Sequence, residues 1–92
     1  MAHHSDRHAG YWIIVDTRNN NNSHTKLGIT ASKRYGRAHE RNRFKRLVRE
    51  AFRLCRQQLI PSLDINVRPR SAAKNAGMAD ILHELIKLIG KR

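Results

Sequence analysis

One stretch of the chain, Lys33–Arg56, constrains its fold and its partners more than any other. It combines ten Arg or Lys residues with an apolar stripe at helical spacing. The stripe follows the i, i+3, i+4, i+7, i+11 pattern of a helix with one buried face, and it consists of Phe44, Leu47, Val48, Ala51 and Cys55. At about 100° per residue, the opposite side carries Asn42, Lys45, Arg46, Arg49, Arg53 and Arg56. We therefore predict one long helix, from Arg37 to Gln58, with a packed side and a cationic side.

A cationic row of this density is costly unless it meets an anionic partner. Like charges at i, i+4, such as Lys45 and Arg49, repel by roughly 0.2–0.5 kcal/mol per pair. Only Glu40 and Glu50 lie nearby to offset them. A surface that serves solubility alone mixes both signs. Arg suits phosphate because its planar guanidinium donates two parallel hydrogen bonds. The pattern therefore favours a phosphate-binding face over a merely solvated one.

The length and charge of the chain narrow further the classes of protein to which it could belong and the partners it could bind. Its 92 residues are enough for one small domain, and its net charge of +12 points to a polyanion such as RNA, DNA or an acidic membrane surface. No apolar run approaches the roughly 20 residues of a membrane span, and no signal peptide is evident. The single cysteine, Cys55, lies on the apolar side of the predicted helix, which is typical of a small core residue. A lone cysteine also fits a reducing cytoplasm.

The first nine residues are polar and rich in histidine. His3, His4 and His8 have neither zinc-finger spacing nor cysteine partners, so we expect no metal site there. We interpret residues 1–9 as a disordered, frayed N-terminus.

Two short strands are predicted before the basic helix. The run Tyr11–Asp16 is β-branched and aromatic, which suits a strand buried on both faces. Tyr11 and Trp12 are either core residues or aromatic platforms for a base. Asn19–Asn22 favours a loop. The run Lys26–Ser32 alternates in polarity, so we predict a half-buried strand that pairs with the first as an antiparallel hairpin.

The second half of the chain supplies one more strand and one more helix. Pro61 ends the basic helix, and Leu63–Arg68 alternates as a strand of the same sheet. Met78–Ile89 has an apolar stripe at helical spacing, and Gly90 is a suitable C-cap. The order is β-β-α-β-α, which predicts a small α+β sandwich with helices packed on one sheet. Its core is thin, so we expect bound RNA to stabilise it.

The run SKRYGRAHERNRFKRLVREAFR, residues 32–53, resembles the signature of the bacterial ribonuclease P protein subunit. The residues that carry the resemblance are Arg41, Asn42 and Arg43, followed by Lys45, Arg46, Arg49 and Glu50. The Arg-Asn-Arg core within a basic helix is far more specific than a basic patch. The strands and the closing helix also fit, so that the resemblance extends from Tyr11 to Ile89.

The resemblance implies a fold and a function. The fold would be a twisted sheet flanked by helices, similar to domain 2 of ribosomal protein S5, with a left-handed β-α-β crossover through the basic helix. Residues 10–92 would form the RNA-binding domain. The chain would be the protein cofactor of ribonuclease P, which binds the catalytic RNA and helps to remove the 5′ leader from precursor tRNA. The RNA would carry the catalysis, with Mg²⁺ held mainly by the RNA and the substrate.

The resemblance also implies which residues touch RNA. The residues expected to bind it are Lys33, Arg34, Arg41, Asn42, Arg43, Lys45, Arg46, Arg49 and Arg53. The family has a helix and a short strand before the strand placed here at Tyr11, and that helix supplies aromatic residues to a cleft for the leader. Only ten largely polar residues precede Tyr11. We therefore expect either that the start of this sequence is placed too late or that this form is N-terminally shortened and lacks the helix. In both cases Tyr11 and Trp12 are the candidates for the leader cleft. The partners would be the catalytic RNA and precursor tRNA, with no membrane and no protein partner required.

Two other functions remain as alternatives. A metal-dependent nuclease needs several carboxylates that converge on Mg²⁺. The seven acidic residues are instead scattered: Asp6, Asp16, Glu40, Glu50, Asp64, Asp80 and Glu84. A ribosomal protein or a DNA-binding module is the second alternative, because a basic helix alone does not exclude reading of the major groove. A preference for duplex DNA over structured RNA would identify the DNA binder.

Overall fold

The computed structural model describes residues 5–21 and 24–91. The elements in chain order are β1 (Ser5–Ala9), β2 (Ile13–Asn19), β3 (Lys26–Ile29), α1 (Ala38–Cys55), β4 (Leu63–Pro69) and α2 (Met78–Ile89). Two short 3₁₀ turns, Arg56–Gln58 and Ser71–Asn75, follow α1 and β4. The four strands form one mixed sheet in the order β1-β2-β4-β3, and both helices pack on it. The predicted α+β class is confirmed.

One face of the sheet forms the core with the two helices. Alternate residues of the two central strands are buried there, beginning with Ile13 in β2 and Leu63 in β4. The helices contribute Phe44, Val48, Ala51, Cys55, Ile81, Leu85 and Ile89. The predicted stripe of α1 is therefore correct, although Leu47 is only half-buried. β2 was expected to be buried on both faces, which is wrong: its burial alternates, and only the helix-facing side is covered.

The N-terminal segment is more ordered than the sequence suggested. We expected residues 1–9 to be disordered, but Ser5–Ala9 forms β1, which pairs antiparallel with β2. Backbone pairing stabilises this strand, and the Asp16 carboxylate on β2 accepts a hydrogen bond from Arg7 at 3.2 Å. Residues 1–4, which belong to the same expected terminus, lie outside the described residues.

The pairing of β3 also differs from the expectation. We predicted an antiparallel hairpin with the preceding strand, but β3 pairs parallel with β4. β4 lies between β2 and β3 and is antiparallel to β2. The β3–α1–β4 connection is therefore a crossover between adjacent parallel strands, and the basic helix is the connecting element. Asn22, the last residue of the predicted asparagine loop, lies outside the described residues.

The ends of the two helices are tied together. α1 ends at Cys55, and the predicted end at Gln58 corresponds to the 3₁₀ turn that follows. The backbone amide of Ile60 donates to the carbonyl of Ile89 at 3.0 Å, and the backbone amide of Lys91 donates to the carbonyl of Gln58 at 2.7 Å. Gly90 is the C-cap residue of α2, as predicted, but its backbone is extended rather than left-handed. The segment after α2 thus pairs with the segment after α1.

Replacement of Gly90 by alanine should destabilise the protein by about 1–3 kcal/mol, the usual cost of overpacking. The φ of Gly90 is ordinary at −74°, but a Cβ there would overlap the carbonyl oxygen of Ile86. Gly77→Ala is the matched control, because its added Cβ would lie 3.8 Å from the nearest atom, in Asp80. Urea unfolding followed by circular dichroism measures both. Equal stabilities of the two variants would contradict the role of the Gly90 contact.

Candidate nucleic-acid interface

The side of α1 that faces away from the core presents its polar residues to solvent. Asn42, Arg46, Arg49 and Arg53 are exposed, whereas Lys45 is half-buried. The helix is fixed in place by its buried side, led by Phe44 and Val48. A rigid helix thus carries the predicted cationic row, which we call the α1 basic face: Asn42, Lys45, Arg46, Arg49 and Arg53.

The arginines of the α1 basic face differ in how free they are. Arg53 donates to Glu50 through both Nε and Nη2, at 3.2 and 2.8 Å, so its charge is already matched. Within residues 5–21 and 24–91, Arg46 and Arg49 make no side-chain hydrogen bond or ion pair. These two guanidinium groups are therefore available to bind an anion from solvent.

Arg41 and Arg43, the two arginines of the Arg-Asn-Arg core, have partly structural surroundings. Arg43 donates from Nη2 to the carbonyl of Ala76 at 2.8 Å, which links α1 to the segment that leads into α2. Arg41 lies on the N-terminal extension of the apolar stripe, and its Nε is buried without a hydrogen-bond partner in the described part of the chain. The predicted RNA-binding residues are thus not equivalent, because one N–H group of Arg43 is already hydrogen-bonded inside the fold.

Lys33 and Arg34 lie in the turn between β3 and α1, and both are exposed. Arg34 lines a cavity of about 410 Å³ whose other lining residues are Ile14, Thr30, Ser32, Tyr35, Arg68, Pro69 and Ser71. Ile14 and Arg68 belong to the sheet face that the helices leave open. No residue of the α1 basic face lines this cavity. The structure therefore divides the predicted RNA-binding residues between two places.

The open face of the sheet carries arginines that were not predicted as site residues. Asp16 lies between Arg7 and Arg68, with Oδ1 3.2 Å from Arg7 Nε and Oδ2 3.0 Å from Arg68 Nη2. Nε of Arg68 has no hydrogen-bond partner among the described residues. The alternation of Leu63, Ile65 and Val67 could have placed Arg68 on this face, but only knowledge of the pairing with β2 brings it to Asp16.

Tyr11 and Trp12 lie in the turn between β1 and β2, not inside the strand as predicted. Tyr11 is 67% exposed, whereas Trp12 packs against the core. Their rings meet edge to face, with centroids 4.7 Å apart. Tyr11 also lines a cavity of about 210 Å³ with Arg70, Ser71 and Ala72. Their assignment to a leader cleft stays a prediction.

The start of α1 is stabilised by a carboxylate. Glu40 accepts a hydrogen bond from the backbone N–H of Arg37 at 2.9 Å. This bond, helped by the nearby charge of Lys74, lowers the pKa of the Glu40 carboxyl. Close by, burial raises the pKa of the Tyr35 hydroxyl. The Lys74 ammonium lies 5.5 Å from the centre of the Tyr35 ring, which favours a cation–π contact.

We expect the Glu40→Gln variant to be less stable than the wild type at neutral pH. In acid the two proteins should be equally stable. Glutamine can still accept the Arg37 bond, so the substitution removes the charge. Because folding lowers the pKa of Glu40, its contribution is complete above the ordinary value of 4.5 and is lost as the pH falls through the folded value. Urea unfolding over a pH series measures the difference between the two proteins. A difference that stays constant well below pH 4.5 would contradict this linkage.

Three further findings concern metals, membranes and the cysteine. Of the residues that the structure describes, no three His, Cys, Asp or Glu side chains are grouped closely enough to hold a metal ion. Neither helix in the described ranges has the length and apolar character needed to cross a membrane. Burial raises the pKa of the Cys55 thiol, which disfavours the reactive thiolate at neutral pH.

Comparison with known sequences agrees with the resemblance. The family model described as Ribonuclease P matches residues 1–92. The ribonuclease P protein component of Chlamydia trachomatis serovar L2 is 53% identical over 57 residues, which cover 62% of this chain and 45% of that protein. That of Desulfosudis oleivorans is 45% identical over 79 residues, covering 86% and 65%. The chain thus spans about half to two thirds of the length of these relatives.

Comparison with solved structures gives the same result. The ribonuclease P protein of Thermotoga maritima, in complex with 1-(4-fluorophenyl)-2-thiourea, has a TM-score of 0.85 and 26% identity, covering 96% of this chain and 86% of that one. The Staphylococcus aureus ribonuclease P protein has a TM-score of 0.73 and 34% identity, covering 94% and 77%. The resemblance inferred from residues 32–53 therefore extends to the whole fold, and the chain belongs to the ribonuclease P protein family.

Proposed function

We propose that this chain is the RNA-binding protein component of ribonuclease P and assists the catalytic RNA in removing the 5′ leader from precursor tRNA. Family membership supports the assignment, and the observation that carries it is the α1 basic face. Arg46 and Arg49 stand exposed on a helix whose other side is buried, and neither is matched by an acidic side chain in the described part of the protein. A rigid pair of free guanidinium groups suits the phosphates of a folded RNA.

The α1 basic face would act by positioning rather than by reading sequence. Contacts to phosphates fix the orientation of a protein on nucleic acid but carry no sequence information directly. They also release counterions, so that affinity falls steeply with salt. The precursor leader and the catalytic RNA are both anionic. A cationic protein bound beside them would reduce their mutual repulsion, and this benefit is largest when few magnesium ions are present to do the same.

The residues of this interface form three groups in our proposal. Asn42, Lys45, Arg46 and Arg49 make the principal contacts, together with Arg53 once it exchanges Glu50 for phosphate. Lys33 and Arg34 contact RNA beside the 410 Å³ cavity. Arg41 and Arg43 contribute at the start of α1, where Arg43 also holds Ala76.

The chemistry is assigned to the RNA. Several carboxylates of this chain are occupied within the fold: Glu50 binds Arg53, and Asp16 binds Arg7 and Arg68. We therefore place Mg²⁺ on the catalytic RNA and the precursor, where it supplies charge stabilisation for phosphodiester hydrolysis. We also place the protein in the cytoplasm, a reducing compartment in which the unpaired Cys55 remains a thiol.

A reconstitution at low magnesium tests the proposal. The full chain is mixed with its cognate catalytic RNA and precursor tRNA, and cleavage is followed over time. We expect faster removal of the 5′ leader than with the RNA alone, and an advantage that shrinks as magnesium rises. Absence of stimulation at every magnesium concentration would overturn the proposed function. Cleavage by the protein without RNA would show that it is itself the nuclease.

A further inference from the structure

A second basic surface lies at the end of the molecule where both helices finish. A cavity of about 620 Å³ opens there between three stretches of chain that are distant in sequence. Its lining residues are His24, Thr25, Arg56, Gln57, Leu59, Pro61 and Lys91. It shares no lining residue with the cavity that contains Arg34, and it lies about 27 Å, the length of α1, from the start of that helix. We call it the C-terminal pocket.

The walls of the C-terminal pocket are held by hydrogen bonds between these stretches. The hydroxyl of Thr25, which is only 7% exposed, donates to the carbonyl of Ile60 at 2.7 Å. The backbone amide of Ile60 in turn donates to the carbonyl of Ile89. The backbone amide of Lys91 donates to the carbonyl of Gln58. Each stretch is therefore tied to a neighbouring one, so the shape of the pocket does not depend on a ligand.

Arg56 brings to this pocket a positive charge that has no acidic partner. None of the lining residues that the structure describes is Asp or Glu. The Arg56 side chain is exposed and makes no hydrogen bond or ion pair within residues 5–21 and 24–91. Its guanidinium carbon lies 6.0 Å from the centre of the Phe52 ring, which favours a cation–π contact. The charge of Arg56 is thus held in place without being neutralised.

Cations near the end of a helix often serve the helix itself, because they offset the partial negative charge of its last carbonyl groups. Here the carbonyls at the ends of the helices are engaged by backbone amides. Those of Gln58 and Ile89 accept the two amides named above, and that of Ile86 accepts from Gly90 at 2.8 Å. No cationic side chain bonds to these three carbonyls in the described part of the chain. The free charge of Arg56 therefore suits an anion from outside the fold.

Arg56 also continues the α1 basic face toward this pocket. Asn42, Arg49 and Arg56 are spaced seven residues apart, so each step is about two helical turns, or about 10.5 Å along the axis. Arg56 directly follows the end of α1, and its backbone is still helical, with φ −50° and ψ −43°. Arg53, which lies between them, is paired with Glu50. A nucleic-acid strand that lies along the α1 basic face would therefore reach the C-terminal pocket.

We propose that the C-terminal pocket binds a backbone phosphate of the RNA that lies along the α1 basic face, with the Arg56 guanidinium as its principal ligand. This inference rests on the proposed function, and it extends the interface to the end of α1 opposite the Arg-Asn-Arg core. A guanidinium suits this ligand because its planar fork donates two parallel hydrogen bonds to a phosphate. The Gln57 side chain is exposed in the same pocket and can donate one more. Lys91 contributes its backbone amide to the wall.

Binding of the full chain to the catalytic RNA over a salt series is the first test. We expect Arg56→Ala to lower the affinity about tenfold and to make the slope of log affinity against log salt shallower by about 0.7–0.9, as for one lost phosphate contact. Arg56→Lys keeps the charge but not the planar fork, so it should restore the slope and only part of the affinity. Lys87→Ala, at an exposed position on α2, is the matched control and should change neither quantity. Circular dichroism establishes that each variant is folded.

Ethylation interference locates the phosphate. Partly ethylated catalytic RNA, in which single phosphates have lost their charge, is separated into bound and unbound fractions. We expect positions at which ethylation weakens binding of the wild type and of Arg49→Ala but no longer affects Arg56→Ala. The same mapping with partly ethylated precursor tRNA tests the other possible source of the phosphate. Equal affinities of Arg56→Ala and Lys87→Ala, or ethylation patterns that Arg56→Ala leaves unchanged with both RNAs, would overturn the inference.

The outcome is separable from that of the proposed function. Stimulation of the catalytic RNA by the wild type tests the function, whereas the comparison of Arg56→Ala with Lys87→Ala tests the pocket. Stimulation together with equal binding by these two variants would retain the function and remove the pocket. An ethylation pattern that depends on Arg56, without any stimulation, would retain the pocket as an RNA site and overturn the function.

Discussion

Replacement of both Arg46 and Arg49 by alanine should lower the affinity for the catalytic RNA by about a hundredfold, taking about tenfold for each lost guanidinium–phosphate contact. Both side chains are exposed, and neither has a partner in the described part of the fold, so the substitution removes no internal bond. The slope of log affinity against log salt should become shallower by about 1.4–1.8, because each phosphate contact contributes about 0.7–0.9. Filter binding over a salt series measures both quantities.

A charge-matched control separates location from net charge. Lys87→Ala combined with Lys91→Ala also removes two positive charges, but from exposed positions on α2 and after it. We expect this control to bind the catalytic RNA with nearly the wild-type salt slope. If the two double variants lost affinity equally, the protein would be a diffuse polycation, and the α1 basic face would have no special role. Arg43 is less suited to this test, because its removal also frees the carbonyl of Ala76.

The Phe44→Ala variant should lose about 3–5 kcal/mol of stability, the usual cost of deleting a buried phenyl ring. Phe44 is 1% exposed, and its ring packs 5.8 Å from that of Tyr35. Small domains are stable by only about 5–15 kcal/mol, so this loss should remove a large share of the stability of the free protein. Leu54→Ala is the matched control in the same helix, because Leu54 is 50% exposed and its loss should cost about 0.5 kcal/mol or less.

Bound RNA should restore much of the lost stability. A ligand at a hundred times its dissociation constant stabilises the folded state by about 2.7 kcal/mol. Phe44→Ala should therefore be defective in reconstitution at limiting catalytic RNA and recover when the RNA is in excess. Urea unfolding gives the stability of each free variant, and the cleavage assay gives the recovery. Equal stability of the Phe44 and Leu54 variants would contradict the predicted core.

The helices were predictable because their signal is local. The 3.6-residue period fixes which side of α1 is buried, and it set the bounds of α2 at Met78–Ile89, as observed. β1 had no comparable signal. Its sequence, SDRHA, lacks apolar alternation, and pairing with β2 rather than burial of side chains maintains it. The strand that pairs with β3 could not be predicted from local sequence either. β4 lies between β2 and β3 in the sheet, but it begins more than 30 residues after β3 in the chain.

The sequence predicted which basic residues lie on the exposed side of α1. It did not predict which of them are already paired inside the fold. Periodicity alone placed Arg46, Arg49 and Arg53 on one side of α1. It did not reveal that Arg53 is bound to Glu50, although the i, i+3 spacing permits such a pair. The bond from Arg43 to Ala76 joins residues 33 positions apart, and the bond from the backbone N–H of Ile13 to the Glu84 carboxylate joins residues 71 positions apart. Contacts of that separation depend on the tertiary fold, which no local pattern contains.

The central place of β4 in the sheet has a consequence for synthesis. The β1–β2 hairpin can form as soon as its residues leave the ribosome, because its pairing is local. β3 and α1 cannot take their final positions this early, because β3 pairs only with β4 among the described strands. Until Leu63–Pro69 has emerged, the most basic segment of the chain has no sheet to pack on. A nascent chain halted before β4 should therefore expose both the apolar stripe and the arginines of α1, which would make it prone to binding cellular RNA without specificity.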